Sequence, residues 1–566
     1  MDKKTLYIFL LLFFFLLLIQ YASRLNPPKQ EKQPEKAVVS VVSPLNKEAD
    51  IKSSHRASLR ENWGRLEVSS WGGVSSCRLR DFKERDYALK TLAEEEKRLR
   101  ASYPRLSQQE KAIASYRLTK LEKSYKYFQD SAGKEVEMIS FPEVFWAHLP
   151  PYFTYMDTRG TPLISDSARS PYKIRKQGKK IILEKEVDGI TIIKELSPSS
   201  SPYLLNCRIQ LKSSSPLPAG NIRVSVGPDV GYREGGRTYA YEGPVTYIDD
   251  KYQKVTFSRR EKGKKSEIVK YGKVSWVAIQ NTYFTQILLP KDSEIAWFSK
   301  NEYDEYLSGI QWEIPAESKK NSRSFEFSLY FGPKKIEPLR TLGKNAEFIV
   351  DLGYFGNLFR IIYVLKALFR LTHNYGWAIV LLTIMVNLVL LPLSLKSFHS
   401  MKAMQKLHPQ VEELKKKLRD NPQKLNKEIM ELYRKRGVSP LGGCLPMLFQ
   451  MPVFFALFTT LRSAIELRGA PFIWWIKDLS LPDTLFVIKG FPIHILPVLM
   501  GGATLLQQRL TGSEAQNPMM SSFMPIFLLF IFYNFPSGLV LYWFVNSILS
   551  IIQQVWVLKF SSISSS

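Results

Sequence analysis

The sequence predicts an α-helical membrane protein with six spans, an outer β-sandwich domain between the first and second spans, and a helical hairpin in a basic loop. Three observations carry this. One hydrophobic run stands at the N-terminus and five more lie between Gly376 and Leu558, separated by a long polar stretch. Within that stretch, apolar and polar residues alternate with the period of half-buried strands. Between two of the late runs lies a strongly basic segment, which fixes orientation.

The 566 residues carry a formal charge of +27. The mean hydropathy of −0.14 averages two very different regions. Much of the positive excess sits in loops beside apolar runs, where anionic lipid attracts it. No RNP signature, zinc-finger spacing or P-loop occurs, so sequence-specific nucleic-acid binding, a metal and a cofactor are all unexpected. Cys77 and Cys207 lie in the polar region, where one disulfide is open to them in an oxidising space, and Cys444 stands alone at a membrane boundary. For all three, a small buried side chain is the ordinary reading.

The first run, Thr5 to Ala22, follows Lys3 and Lys4 and lacks the pair of small residues a signal peptidase needs, so it reads as an uncleaved anchor (residues 1–22), a cleaved signal being the alternative. Residues 23–56, rich in Pro, Lys and Gln, form a linker. In the outer domain, residues 57–350, Ile222, Val224 and Val226 alternate, as do Phe325, Phe327, Leu329 and Phe331. Gly and Pro turn signals recur between such stretches, which points to a β-sandwich. Leu89 to Phe128, rich in Glu, Lys, Leu and Ala, reads as a helical insertion.

From Leu352 to Leu371 the period changes: Phe355, Phe359, Ile362, Leu365 and Phe369 share one side, as in a helix lying in the membrane interface (residues 351–375). Later spans are expected at Gly376–Leu395, Leu445–Leu461, Leu485–Leu506, Met519–Phe535 and Pro536–Leu558, the last four making up residues 445–558. Lys396 to Gly437 contains twelve Lys or Arg against five acids, which places that loop, within residues 396–444, in the cytoplasm. Arg462 to Asp483 holds three of each sign and fits the opposite side. Both termini are then cytoplasmic, the large domain is periplasmic, and residues 559–566 are a short tail.

Inside the basic loop, Phe398, Met401, Met404, Leu407, Val411, Leu414 and Leu418 recur every three or four residues, and Leu425, Ile429 and Leu432 repeat the pattern. Asn421 suits the cap of the second helix, Pro422 its first position and Gly437 its end. The hairpin presents Lys402, Lys406, Lys415, Lys416, Lys417, Arg434, Lys435 and Arg436, and Arg509 stands in the next loop on that side. These cations are a docking surface for a ribosome, targeting factor or emerging chain, or else a solvated connector that sets topology.

At membrane depth, Tyr542, Asn546, Ser550 and Gln553 fall within about 80° on a helix. Asn387, Gln450, Thr459, Thr504 and Asn534 face the same interior if their helices are turned alike. Polar groups there ordinarily bond neighbouring helices. So many together point to a wet cavity, which lowers the cost of carrying peptide groups through lipid. No Asp, Glu, Lys, Arg or His occurs from Gly376 to Leu395 or from Ser537 to Leu558, which argues against an ion-coupled carrier.

The runs Leu441 to Phe458, Glu466 to Ser480 and Phe535 to Gln554 closely resemble the YidC family of membrane protein insertases. The outer domain resembles it at Tyr241 to Pro244, Gly272 to Phe284 and Tyr330 to Lys335. The resemblance implies a periplasmic β-supersandwich, an interfacial helix, a cytoplasmic hairpin, and five core spans around a hydrophilic groove. It also implies action on nascent inner-membrane proteins, alone or beside the Sec translocon, without catalysis of bond-making. Two departures stand out. Where bacterial members usually have a groove arginine, Thr383 to Asn387 ends in Asn387, so polar hydration is expected to replace Coulomb attraction unless Lys396 or Arg509 substitutes. After Lys559 the tail lacks the basic extension that helps some relatives hold ribosomes.

The groove set is therefore Asn387, Gln450, Thr459, Thr504, Tyr542, Asn546, Ser550 and Gln553. A solute transporter with an outer binding domain, and an assembly factor merely anchored by its spans, are the alternatives; the first would show inverted repeats, which are absent from this sequence.

Overall fold

The computed structural model describes residues 56–563 except 70–71, 84–86, 106, 108–110, 112–113, 123–134, 139–150, 166–170, 229, 231–240, 259–263, 303–304, 354–359, 419–420, 438–444, 489–490 and 511–517. The expected first span, Cys444, and the linker apart from Arg56 lie outside the described residues. The chain divides between Asp351 and Leu352 into two compact units.

The first unit opens with β1 (Arg56–Glu61), β2 (Gly64–Ser69) and β3 (Gly73–Lys83), a meander to which the short β4 (Glu135–Glu137) adds an edge. Between β3 and β4 lies α1 (Tyr87–Ser102), with helical structure again at residues 114–122, in the segment expected to be a helical insertion. The chain continues through β5 (Tyr152–Asp157), β6 (Pro162–Ser165), β7 (Lys173–Gln177), β8 (Lys180–Val187), β9 (Ile190–Pro198), β10 (Leu204–Ser213) and β11 (Gly220–Val226). It closes with β12 (Gly243–Ile248), β13 (Lys251–Lys254), β14 (Ser266–Tyr271), β15 (Val274–Gln280), β16 (Phe284–Pro290), β17 (Ile295–Lys300), β18 (Tyr306–Ile314) and β19 (Ser322–Pro333).

Among the described residues these strands form a nine-stranded sheet, β13-β12-β15-β16-β19-β10-β9-β8-β7, and a six-stranded sheet, β14-β17-β18-β11-β5-β6. The two sheets meet through β12, β15 and β16 on one side and β11, β17 and β18 on the other, as the alternation predicted. Ile222, Val224 and Val226 are buried, with Ile222 facing Tyr155 and Trp312 across its neighbours. Phe325, Phe327, Leu329 and Phe331 are likewise buried.

Strands β12, β15 and β16 are covered on both faces, so their side chains do not alternate in exposure. The segment after β19 supplies the second cover. It includes α2 (Ile336–Thr341); Tyr247 stacks on both Trp276 and Phe348, and Trp276 Nε1 donates to the Lys344 carbonyl at 3.1 Å. Cys77 and Cys207 are separate buried thiols on β3 and β10, so the disulfide left open by the sequence is not formed. Burial pushes the Cys207 thiol well above its ordinary range.

A core position also falls to Lys194, only 1% exposed, which donates to the carbonyls of Gly72 and Pro151 and lies over the rings of Phe153 and Tyr172. Lys334 is buried as well, donating to the Asn281 carbonyl at 3.2 Å. Desolvation lowers it from the ordinary 10.5 to about 8, despite the opposing pull of Asp351 and Glu242. Between those two values the unfolded chain binds the proton that the folded chain releases, so stability should rise with pH there; below about 8 the cost of the buried charge is fully present. Lys334→Met should therefore raise the unfolding midpoint at neutral pH and flatten its climb between about pH 8 and pH 10.5, followed by thermal unfolding across that range.

The second unit is helical. The described part of the expected interfacial helix is α3, which spans Ile361–Thr372 and begins after Arg360, whose φ of 49° is left-handed. Phe355 and Phe359 lie outside the described residues. Ile361, Ile362, Leu365 and Leu368 form its buried stripe, and Phe369 stacks on Tyr375 at 4.1 Å.

Next, α4 runs from Tyr375 to Lys406 without interruption, so the span expected to stop at Leu395 continues into the basic segment. Asn374 caps its start by accepting from the Gly376 and Trp377 amides at 2.8 and 3.3 Å. Only Pro392 lies within it; the change from apolar to basic residues at Lys396 removes no backbone hydrogen bond and ends no helix. Then come α5 (His408–Lys417) and α6 (Pro422–Lys435), which touch one another. The Asn421 side chain caps α6 by accepting from the Lys424 amide at 3.1 Å, and Gly437 follows with φ +63°.

Helix α7 covers Leu445–Ser463. The expected span from Leu485 is corrected: β20 (Phe486–Ile488) and β21 (Phe491–Ile493) pair as a short ribbon, and α8 begins only at Ile495, reaching Leu510. The Asp483 carboxylate sets that start by accepting from the Leu496 amide at 2.7 Å and from Trp475 Nε1 at 3.0 Å. Helices α9 (Pro518–Phe532) and α10 (Ser537–Ile563) complete the unit. Among the described residues, Tyr375–Met404 and Ser537–Val557 are long and apolar enough to cross a membrane.

Candidate functional site

A polar cluster at the meeting of α4, α7 and α10

Helix α10 packs against α4 and α7, and the polar stripe on it points into that junction. The residues at the centre are Asn387 from α4, Gln450 from α7, and Tyr542 and Asn546 one turn apart on α10. Asn546 Oδ1 accepts from Asn387 Nδ2 at 3.0 Å and from Gln450 Nε2 at 2.9 Å. Gln450 Nε2 also donates to the Tyr542 hydroxyl at 2.8 Å, and Asn387 Nδ2 donates to the Thr383 carbonyl one turn back at 2.9 Å. Asn387 and Tyr542 are buried, whereas Gln450 and Asn546 are half-buried.

A side-chain amide nitrogen has two N–H donors, and both are used on Asn387 and on Gln450. The Tyr542 O–H, the Asn546 NH2 group and the carbonyl oxygens of Asn387 and Gln450 are not spent within this described network. The cluster thus offers both donors and acceptors, which is what a peptide group needs when it leaves water. Beside it is an apolar wall: Phe454, one turn beyond Gln450, meets Trp543 edge-on at 5.2 Å and lies near Phe532. Phe458 continues the wall to Phe535.

The other expected residues stand apart. Thr459 turns its hydroxyl to the Phe455 and Ala456 carbonyls and Thr504 to Met500, each satisfied by its own helix. Ser550 and Gln553 are half-buried and join none of the described bonds, and Asn534 is exposed. Sequence reasoning missed Thr383, fully buried with its hydroxyl on the Ile379 carbonyl, and Gln554, 4% exposed with neither amide atom partnered. An i+4 continuation of Tyr542, Asn546 and Ser550 would have singled out Gln554.

Of the expected docking cations, Lys406, Lys416, Lys417, Arg434, Lys435, Arg436 and Arg509 are exposed, and Lys402 and Lys415 are half-buried. Lys415 pairs with Glu412 at 3.2 Å.

A helical unit that holds a hydrogen-bonded polar cluster among apolar helices, joined in sequence to a unit of three β-sheets, defines a membrane protein with an extramembrane β domain. The family model for the 60Kd inner membrane protein matches residues 367–564, and that for the YidC periplasmic domain matches residues 166–365. The membrane protein insertase YidC of Endomicrobium trichonymphae is 35% identical over 417 residues, covering 71% of this chain and 78% of the relative. That of Polynucleobacter asymbioticus is 32% identical over 451 residues, covering 74% and 79%. A solved structure described as an active YidC insertase with its first transmembrane domain resolved covers 88% of this chain and 91% of its own, at 18% identity and a TM-score of 0.36. The chain belongs to the YidC family, and it is an inner-membrane protein with a periplasmic domain.

Proposed function

We propose that this protein inserts and folds inner-membrane proteins by exposing them to the cluster of Asn387, Gln450, Tyr542 and Asn546 within its helical unit. The observation that carries this is the amphoteric hydrogen-bond inventory of those four side chains beside an aromatic wall. An unsatisfied peptide group in hydrocarbon costs several kcal/mol, and donors and acceptors at membrane depth offset that cost without fuel. Ser550, Gln553 and Gln554 continue the polar stripe along α10 in this reading, and the faces of α7 and α10 guide the entering segment.

The same reading takes the chain as six spans with both termini cytoplasmic, α5 and α6 as a cytoplasmic hairpin, and its cations with Arg509 as the surface for a ribosome or targeting factor. Action beside the Sec translocon belongs to it as well. No bond is made or broken.

Site-specific photocrosslinking from positions 387 and 546 tests the reading. Crosslinks to a stalled nascent membrane protein are expected, and labelling only by a small solute would replace insertion with transport. Charge is the second test. Asn387→Arg keeps donors toward Asn546 Oδ1 and adds a cation, whose attraction for a carboxylate about 4 Å away is worth about 1 kcal/mol even at the screening of bulk water. Insertion of clients with acidic tails should rise by about fivefold, the factor that energy allows, while neutral clients stay unchanged.

A further inference from the structure

The β20–β21 ribbon is apolar on surfaces that no other part of the described chain covers. Phe486, Val487 and Ile488 are 48%, 50% and 53% exposed. Side chains alternate across a strand, so Phe486 and Ile488 occupy one face and Val487 the other. Both faces of β20 therefore expose apolar surface.

A single two-stranded ribbon is marginally stable in water, and a contiguous exposed apolar surface marks a binding site for protein or membrane. A protein docked flat on the ribbon would account for one face. An apolar solvent accounts for both. The base of the ribbon is fixed: the Tyr533 hydroxyl donates to the Pro492 carbonyl at 2.7 Å, His494 packs edge-on to Tyr533, and Asp483 ties the preceding loop to the start of α8. The exposed apolar surface also continues past that base onto α8 at Val498 and Leu499, 52% and 43% exposed.

We propose that β20–β21 is a lipid anchor, dipping into the headgroup and upper acyl layer at the outer end of α8. The proposal rests on the reading of α8 as a span. Three residues per strand at about 3.4 Å each reach about 10 Å, which suits interfacial depth and falls far short of crossing. Trp474 supports the assignment independently. It is 86% exposed, held outward by a left-handed φ of 51°, and stacked on Trp475, which is bonded to the same Asp483 that sets α8. An amphipathic indole at that place is the ordinary interfacial anchor.

The test uses the full chain in vesicles of phosphatidylethanolamine and phosphatidylglycerol. Cys444→Ala removes one thiol, and Cys77 and Cys207 are buried, so Val487→Cys and Ile488→Cys can each carry an environment-sensitive fluorophore. Nitroxide placed high on the lipid acyl chain should abolish most of the emission from both positions, and aqueous iodide should leave it unchanged. Iodide quenching at either position overturns the anchor, and so does protection from both quenchers, which would mean that protein covers the strand. A label at Leu499→Cys is read in parallel. Lipid quenching at 499 with iodide quenching at 487 sinks the anchor alone, whereas iodide at 499 sinks the reading of α8 as a span.

Discussion

Asn546→Leu is expected to lower membrane-protein insertion by about tenfold, equivalent to about 1.4 kcal/mol at the limiting step, while the protein stays folded. Asn546 Oδ1 is the shared acceptor for Asn387 and Gln450, so the substitution orphans one N–H on each. Bonds of this kind inside a bilayer contribute about 0.6 kcal/mol each on average, so losing two costs a modest amount of stability. The functional loss is larger because the change also removes the Asn546 amide and places an isobutyl group where water and a peptide would compete for donors. Insertion into proteoliposomes and the unfolding midpoint in detergent separate the two effects. Unchanged insertion would count against the cluster, and Asn546→Gln, which restores an amide, should recover part of the activity.

The second large effect is expected at a buried ion pair in the helical unit. Lys366 on α3 meets Glu466, between α7 and the following loop, at 2.8 Å, with side chains only 16% and 9% exposed. Removing one member of a buried pair takes the main compensation from the other charge, which costs up to about 3–5 kcal/mol. Glu466→Ala should therefore lower the unfolding midpoint by many degrees and open the loop after α7 to protease. Replacing both, as Lys366→Met with Glu466→Leu, should recover most of that stability, because burying two apolar groups in place of an ion pair is close to neutral. A single substitution with no effect on the midpoint would show the pair to be solvated.

How legible these features were depends on what each residue must satisfy. Strands β11 and β19 announced themselves because one face of each meets the core, so burial follows the period-two pattern at Ile222 to Val224 and Phe325 to Leu329, and breaks it only at their ends, where Ser225 and Tyr330 are also buried. Strands β12, β15 and β16 are covered twice, and Thr246, Thr285 and Gln286 are buried there with hydrogen bonds to backbone carbonyls that hydropathy does not register. The ribbon at Phe486 to Ile493 hid inside an apolar run because lipid-facing strand and lipid-facing helix use the same residues. The continuity of α4 across Lys396 is hidden in the sequence because a change in charge resembles a boundary, although only loss of backbone bonding ends a helix.

At the site, the polar stripe on α10 was readable from spacing alone. Its partners were not, since the meeting of Asn387 and Gln450 at one oxygen depends on how three helices are rotated about their axes. Thr459 and Thr504 show why residue type alone overcounts: a threonine at membrane depth can satisfy itself on its own backbone, whereas Asn387 and Gln450 have a second donor to place.

The unbroken course of α4 has a mechanical consequence. At 32 residues it is a rod about 48 Å long at 1.5 Å per residue, well beyond the roughly 30 Å of a hydrocarbon core. Asn387 and the cations Lys402 and Lys406 sit on that one lever, with Pro392 as the sole internal breaker. A force applied at the basic tip would therefore be carried along one helix to the amide cluster, so that displacement of one end and loosening of the helix junction become a single stroke.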